Sequence, residues 1–417
     1  MKRLLAAGTF LLGVGGTLPA HAEEDPFAAM DQLLEQQFNS IDLSLEEQYQ
    51  RLDQAMENAY QRLGAEVGAT WGDDEIKLPS QKTWVDYNDD LSARRVIDFA
   101  AGTVTIEQLV DPAADTQLVI QQMTAAAKAA ATDSLATLAT KDKALQYARA
   151  DLAAQGINLP LAAEDNTRPV LEDIADNLDV DQLDLVLASA LNRDATAGPF
   201  KAGTLSADKR HKSDTKQIVS IQIPLKKNHT QTLANKYYVA IAREAARQDL
   251  APSLLLAVME TESAFNPRAR SAVPAYGLMQ LVPRSGAMDA YQLLYGEKTL
   301  LGPEYLYLAD NNVELGSAYL SLLHNRYLRF IDDPESREYC VIAGYNTGSG
   351  NVAKAFTGDF NVRKAAKIIN TMTPLAVYEH LRANLPYEET RHYMFKVTEA
   401  QKKYFAFDES PPAGVSL

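Results

Sequence analysis

The chain has 417 residues, 46% of them apolar and 23% charged, with a net charge of −15. That size allows two or three folded domains, and the excess of acid argues against a nucleic-acid-binding protein, which needs a basic face. The acid lies early. Residues 1–215 hold 18 Lys and Arg against 35 Asp and Glu, net −17, and residues 216–417 hold 22 against 20, net +2. Such asymmetry predicts two units of different character.

Lys2 and Arg3 precede an uncharged stretch from Leu4 to Leu18, and Ala20-His21-Ala22 offers small residues around a cleavage point. The pattern predicts a signal peptide over 1–22, cut after Ala22, and export to the periplasm. The apolar run is short and Gly-rich for a retained membrane anchor, and no cysteine stands near the cleavage point to carry a lipid. No later stretch approaches the roughly 20 apolar residues of a spanning helix, so no transmembrane helix is expected in the mature chain. Cys340 has no second cysteine to pair with, and its apolar setting in "EYCVIAGYN" predicts a buried, inert thiol.

Residues 27–63 read as a helix, within a helical N-terminal extension over 23–69. Leu45, Tyr49, Leu52, Met56, Ala59 and Leu63 form a seam of alternating four- and three-residue steps, which suits self-association or, as favoured here, packing back onto the body of the protein. Trp71-Gly72 ends that region. "KTWVDYN" and "RVIDFAAGTVTIEQL" alternate apolar and polar residues around a hairpin turn at Ala100-Ala101-Gly102. Residues 113–155 and 168–192 read as helical. The segment 193–216 carries the main basic cluster and reads as a loop, and 217–225 as a strand. These elements make an α+β domain over 70–225.

From about 230 the pattern is helical to 404, with Pro252 opening one helix and Asp310 expected to cap another. The overall fold class is therefore α+β, with a mainly α second domain over 226–408. In the helix after Pro252, "METESAF" carries two carboxylates two positions apart. Glu262 continues the stripe of Leu254, Leu255, Val258 and Met259, so periodicity turns it inward and leaves Glu260 on a mixed face. Burial would raise the Glu262 pKa, as a general acid working near neutral pH requires. A solvated helix-end acid is the alternative that periodicity alone leaves open.

"ETESAFNPRARSAVPAYGLMQLVP" resembles the signature of the soluble lytic transglycosylases, which share a fold with goose-type lysozymes. Glu262-Ser263 matches the catalytic pair, Asn266-Pro267 and Ser271 follow in order, and Gly277-Leu278-Met279-Gln280 matches the next motif. Gly344-Tyr345-Asn346 matches Ala-Tyr-Asn, with Gly344 in place of Ala and Thr347 where a second glycine is usual. Glu389-Thr390-Arg391 and Tyr393 match the last motif. Residues 70–110 and 217–404 also resemble the membrane-bound lytic murein transglycosylase C type, whose lipidation cysteine is missing here.

The resemblance implies a lysozyme-like domain that cleaves peptidoglycan glycan strands at the MurNAc-β-1,4-GlcNAc bond without water. One acid, Glu262, then acts first as acid and then as base, and the product ends in 1,6-anhydroMurNAc. Ser271 would bind the N-acetyl or lactyl group, Met279 and Gln280 would line the groove, and Tyr345 would orient Glu262. Asn346 would hold a loop carbonyl or the sugar, and Tyr393 would reach the cleft from a core stripe. Glu389 is expected to pair with Arg391 or to cap its helix. No metal or cofactor is expected, since none of the six His stands at metal-motif spacing. Protein partners in the cell envelope are left open. A goose-type muramidase using water and a catalytically idle murein-binding scaffold are the rival readings.

Overall fold

The computed structural model describes residues 26–158, 169–171, 180–193, 198–202, 205–213 and 216–410. The expected signal peptide lies outside these residues. Residues 46–417 pack as one compact unit, distinct from residues 1–45.

Helix α1 runs over Pro26–Trp71. Along its part in the compact unit, Tyr49, Leu52, Met56, Ala59 and Leu63 are all buried, so this seam is a packing face against the chain itself. Polar contacts anchor it: the Tyr49 hydroxyl donates to the Thr299 carbonyl at 2.8 Å, and Arg284 pairs with Asp53. Arg270 lies 3.8 Å over the Tyr60 ring.

Among the described residues six antiparallel strands follow in two groups: β1 (Thr83–Tyr87), β2 (Ala93–Asp98) and β3 (Thr103–Val110), then β4 (Phe200–Ala202), β5 (Leu205–Ser213) and β6 (Lys216–Pro224). Their order in the sheet is β1-β2-β3-β6-β5-β4, so the returning β6 joins the two groups beside β3, with Ile106 opposite Ile221. Between the groups come α2 (Thr116–Thr132), α3 (Leu135–Lys141), α4 (Lys143–Ala154) and α5 (Val180–Leu191). Val119, Ile120 and Met123 of α2 and Val186 and Leu187 of α5 share one core with Ile97, Val104, Ile106 and Ile221 of the sheet. The hairpin at 99–102 and the strand over 217–225 are where the pattern put them.

Two expectations differ. Residues 193–216 are not a loop, because β4 and β5 fall there. Strand β5 is rich in charge instead of alternating with apolar residues, and its charges are satisfied within the protein. Arg210 pairs with Glu75 and reaches Glu107 at 3.1 Å, while Lys212 meets Asp74 at 2.7 Å. On the same side of the sheet Arg94, fully buried, bonds Glu107 at 2.6 Å and Glu75 at 2.8 Å, and its guanidinium lies 3.9 Å over the Trp71 ring. Second, the start of 168–192 is not helical: Pro169 bridges Ser134 and residues 170–171 turn. Residues 172–179 lie outside the described residues.

The second half is helical: α6 (His229–Gln248), α7 (Pro252–Ser263), α8 (Met288–Tyr295), α9 (Pro303–Leu306), α10 (Ala309–Leu322), α11 (Pro334–Thr347), α12 (Ser349–Thr357), α13 (Val362–Ile369), α14 (Pro374–Asn384), α15 (Glu388–Tyr404) and α16 (Ala406–Glu409). Asp310 lies in the first turn of α10, not at its cap, and pairs with Arg243 at 3.3 Å. Cys340 is fully buried with its pKa pushed up by burial, an inert thiol. Among the described residues no helix is long and apolar enough to cross a membrane.

Candidate active site

Helix α7 is apolar nearly all round, and Leu254 through Met259 are buried without a break, as for a helix threaded through the middle of a domain. The two acids part at its end. Glu260 turns outward to Lys403 at 2.6 Å and the Tyr404 hydroxyl at 2.6 Å, both on α15. Glu262 turns inward and is only 8% exposed. Burial drives its pKa from 4.5 up to about 8, so its carboxyl is mostly protonated at neutral pH. Tyr393 and the Lys82 cation pull in the opposite direction, and the Glu389 charge adds to the rise. The Tyr393 hydroxyl is itself buried and acts on Glu262 as a hydrogen-bond donor outside standard geometry, which favours the charged carboxylate.

Leaving α7, Ala264 and Phe265 both take positive φ, which turns the chain sharply behind the acid. Ser263 Oγ lies 2.7 Å from the Leu278 carbonyl and 3.0 Å from that of Met259, tying the helix end to the 277–280 turn. Gly277 has φ of +79°, and a Cβ there would sit 2.2 Å from the Leu306 carbonyl, so no other residue fits. The turn is locked further by fully buried Asn312, whose Oδ1 accepts from Met279 N at 2.7 Å. Its Nδ2 donates to the carbonyls of Tyr276 at 2.9 Å and Leu306 at 2.7 Å.

Glu262 opens into a cleft of about 560 Å³. Of the residues expected at the site, Ser271, Gln280, Tyr345 and Asn346 line it with Glu262. The Ser271 hydroxyl is engaged in its own turn, donating to the Val273 carbonyl and accepting from Ala275 N at 3.1 Å. Gln280 spends its amide nitrogen on the carbonyls of Ala275 and Gly277, at 3.3 and 3.2 Å, while its Oε1 is buried and unpartnered. Asn346 Oδ1 accepts from the Thr390 hydroxyl at 2.7 Å.

Four expectations change. Met279 does not line the cleft: it is fully buried against Gly316, where a Cβ would come within 2.4 Å of its sulfur. Tyr345 does not orient Glu262 through its hydroxyl, which donates to the Met279 carbonyl at 2.8 Å. Glu389 neither pairs with Arg391 nor caps α15. It is exposed on the cleft, while Arg391 donates to the Leu385 carbonyl at 3.0 Å. Tyr393 lies on the buried stripe it was read on and acts on Glu262, but it does not reach the cleft, whose lining residues do not include it. Sequence reasoning missed Asn312, a polar residue inside a helix with no local signal, and the cleft residues Gln81 and Tyr387. Among the described residues no cluster of His, Cys, Asp or Glu could hold a metal.

The arrangement supplies a neutral carboxylic acid at the wall of an open polar cleft, with hydroxyl and amide groups around it. A family model described as "Transglycosylase SLT domain" matches residues 239–368. Another, described as "Membrane-bound lytic murein transglycosylase C, N-terminal domain", matches residues 49–137. Membrane-bound lytic murein transglycosylase C of Pectobacterium atrosepticum is 32% identical over 342 residues, 80% of this chain and 85% of that one. The Yersinia pestis protein of the same name is 33% identical with the same coverage. The solved 70 kDa soluble lytic transglycosylase of Escherichia coli is 24% identical over 43% of this chain and 26% of that one, with a TM-score of 0.33.

Proposed function

This chain belongs to the membrane-bound lytic murein transglycosylase C family and is a peptidoglycan lytic transglycosylase, a lyase, and we propose that Glu262 is its one acid and base. The observation that supports this role is the burial that keeps the Glu262 carboxyl protonated to about pH 8 beside the cleft. In the first step Glu262 gives its proton to the glycosidic oxygen leaving C1 of MurNAc, and the C1–O bond breaks. The ionised Glu262 then takes the proton of the sugar's own C6 hydroxyl, whose oxygen bonds to C1. The acid is regenerated and the product ends in 1,6-anhydroMurNAc. The nucleophile is tethered within the substrate, so its effective concentration is high and no second carboxylate is needed.

Asn346, through its amide nitrogen, faces the sugar, and Gln280, its amide nitrogen held by the turn, forms part of the cleft wall. Ser271 shapes the rim, and Tyr345 and Tyr393 hold the wall around Glu262. Residues 70–225, together with the part of α1 from residue 49 that the family model takes in, form the N-terminal domain, and 226–408 the catalytic one. The relatives' name implies a location in the cell envelope. Residues 1–22 supply export to the periplasm, with the mature chain free to associate at the membrane surface and with envelope proteins.

Mass spectrometry of sacculi digested by the purified protein tests the reaction. Muropeptides with anhydro ends are expected, and products with reducing ends alone would reject it.

A further inference from the structure

Gln81 enters the cleft from the N-terminal half, outside the motifs of the catalytic domain. It belongs to the segment that leads into β1, whose backbone is held from several sides. Ser80 N donates to the Thr83 carbonyl at 2.8 Å, and Phe99 N donates to the Lys82 carbonyl at 2.9 Å. The turn behind Glu262 holds the rest: Asn266 Nδ2 donates to the Gln81 carbonyl at 3.2 Å and reaches that of Ser80 at 3.5 Å. Arg270 N donates to the Ser80 carbonyl at 3.3 Å. Asn266 is fully buried, and its Oδ1 is taken by Arg268 N at 3.0 Å, so this clamp has one arrangement. The Gln81 side chain is half-buried, and its amide has no hydrogen bond among the described residues.

A free amide on a fixed backbone, facing the same cleft as the acid, loses little freedom on binding. It offers one donor group and one acceptor group and carries no charge. We propose that Gln81 is a substrate-binding residue, using its amide to take a hydroxyl or acetamido group of the glycan strand, so that the N-terminal half reads saccharide directly. The inference rests on the proposed function above. Charge separates it from its neighbour: Lys82 acts on the proton affinity of Glu262, whereas Gln81 leaves that affinity alone.

The test uses the full mature chain on purified peptidoglycan, comparing wild type with Gln81→Leu, which keeps the bulk and removes the amide, and with Gln81→Asn. For Gln81→Leu we expect kcat/KM to fall about tenfold, carried by KM, as for loss of one or two hydrogen bonds. The pH profile and melting midpoint should stay at wild-type values. Binding of a GlcNAc–MurNAc tetrasaccharide to Glu262→Gln should weaken by a similar factor when Gln81→Leu is added. Gln81→Asn should fall between wild type and Leu. An unchanged KM in both variants, or a loss confined to kcat with a lowered melting midpoint, would overturn the proposal. A wild-type protein that fails to release anhydro-ended products overturns the parent reading instead, so the two failures are separable.

Discussion

The Thr390 hydroxyl donates to Asn346 Oδ1 at 2.7 Å, joining the first turn of α15 to the last turn of α11 at the edge of the cleft. These two residues are 44 positions apart and come from different motifs. Their bond orients the Asn346 amide so that its nitrogen, a donor, is left for a ligand. Thr390 is 1% exposed, so its hydroxyl has no water to fall back on.

Thr390→Val should therefore release the amide and leave Asn346 free to rotate. We expect kcat/KM on peptidoglycan to drop several-fold and stability to fall by about 1 kcal/mol, the usual worth of one such bond. Thr390→Ser, which keeps the hydroxyl, should stay near wild type. Steady-state kinetics and denaturant melts on the pair of variants measure both effects.

Glu262→Gln should abolish turnover by several orders of magnitude while glycan binding survives, because the amide keeps the shape and cannot give a proton. Stability carries a second signature. The native carboxyl holds its proton to about pH 8, and the unfolded one releases it near 4.5. Between those values the native state binds more protons, so the group's contribution falls as pH rises through the window. Glu262→Gln removes that slope. Relative to wild type it should be more stable at pH 8 than at pH 4.5, by on the order of a few kcal/mol. Equal pH dependence in the two proteins would show that Glu262 is not buried.

How much of this was readable beforehand follows the range of each interaction. Periodicity favoured Glu262 over Glu260 as the inward acid and left a solvated acid open, because α7 is apolar on most of its faces and its stripe is only weakly one-sided. The motif resemblance closed that choice. The hairpin at 99–102 and the helices from 229 onward were legible from local pattern. Strand β5 was not, since its charges are paid off by Glu75 and Glu107, which lie more than 100 positions upstream. Tyr345 and Met279 were placed at the cleft by motif. Their true relation, a side-chain hydroxyl on a main-chain carbonyl, depends on how two distant turns pack. Gln81 had no signal of its own because its position is set by Asn266, 185 residues away.

Two charges near Glu262 predict shifts of opposite sign in the pH profile. The acid must be protonated to begin the reaction, so kcat/KM should fall as pH rises past about 8. Lys82 lowers the Glu262 pKa, and Glu389 raises it. Lys82→Met should move the alkaline limb to higher pH, and Glu389→Gln should move it lower. Tyr393 and Tyr345, the other groups beside the acid, have pKa values pushed up by burial and stay neutral in this range. A profile that moves the same way in both variants would remove the electrostatic account of the limb.

Arg268 and Asp142 form an ion pair at 2.5 Å with both side chains 4% exposed, between the turn behind Glu262 and the N-cap of α4. The Arg268 guanidinium also lies 4.3 Å from the Tyr307 ring and 5.0 Å from that of Trp84. Removing either partner strands the other charge in a place water does not reach. Arg268→Met or Asp142→Asn alone should therefore destabilise the protein by about 3–5 kcal/mol, and the double variant by clearly less than the sum. The kinetic consequence is specific to position: Asn266 on the same turn clamps the Gln81 carbonyl, so a loosened turn should raise KM as well as lower the melting point. Additive losses in the double variant would mean that the two groups are not coupled.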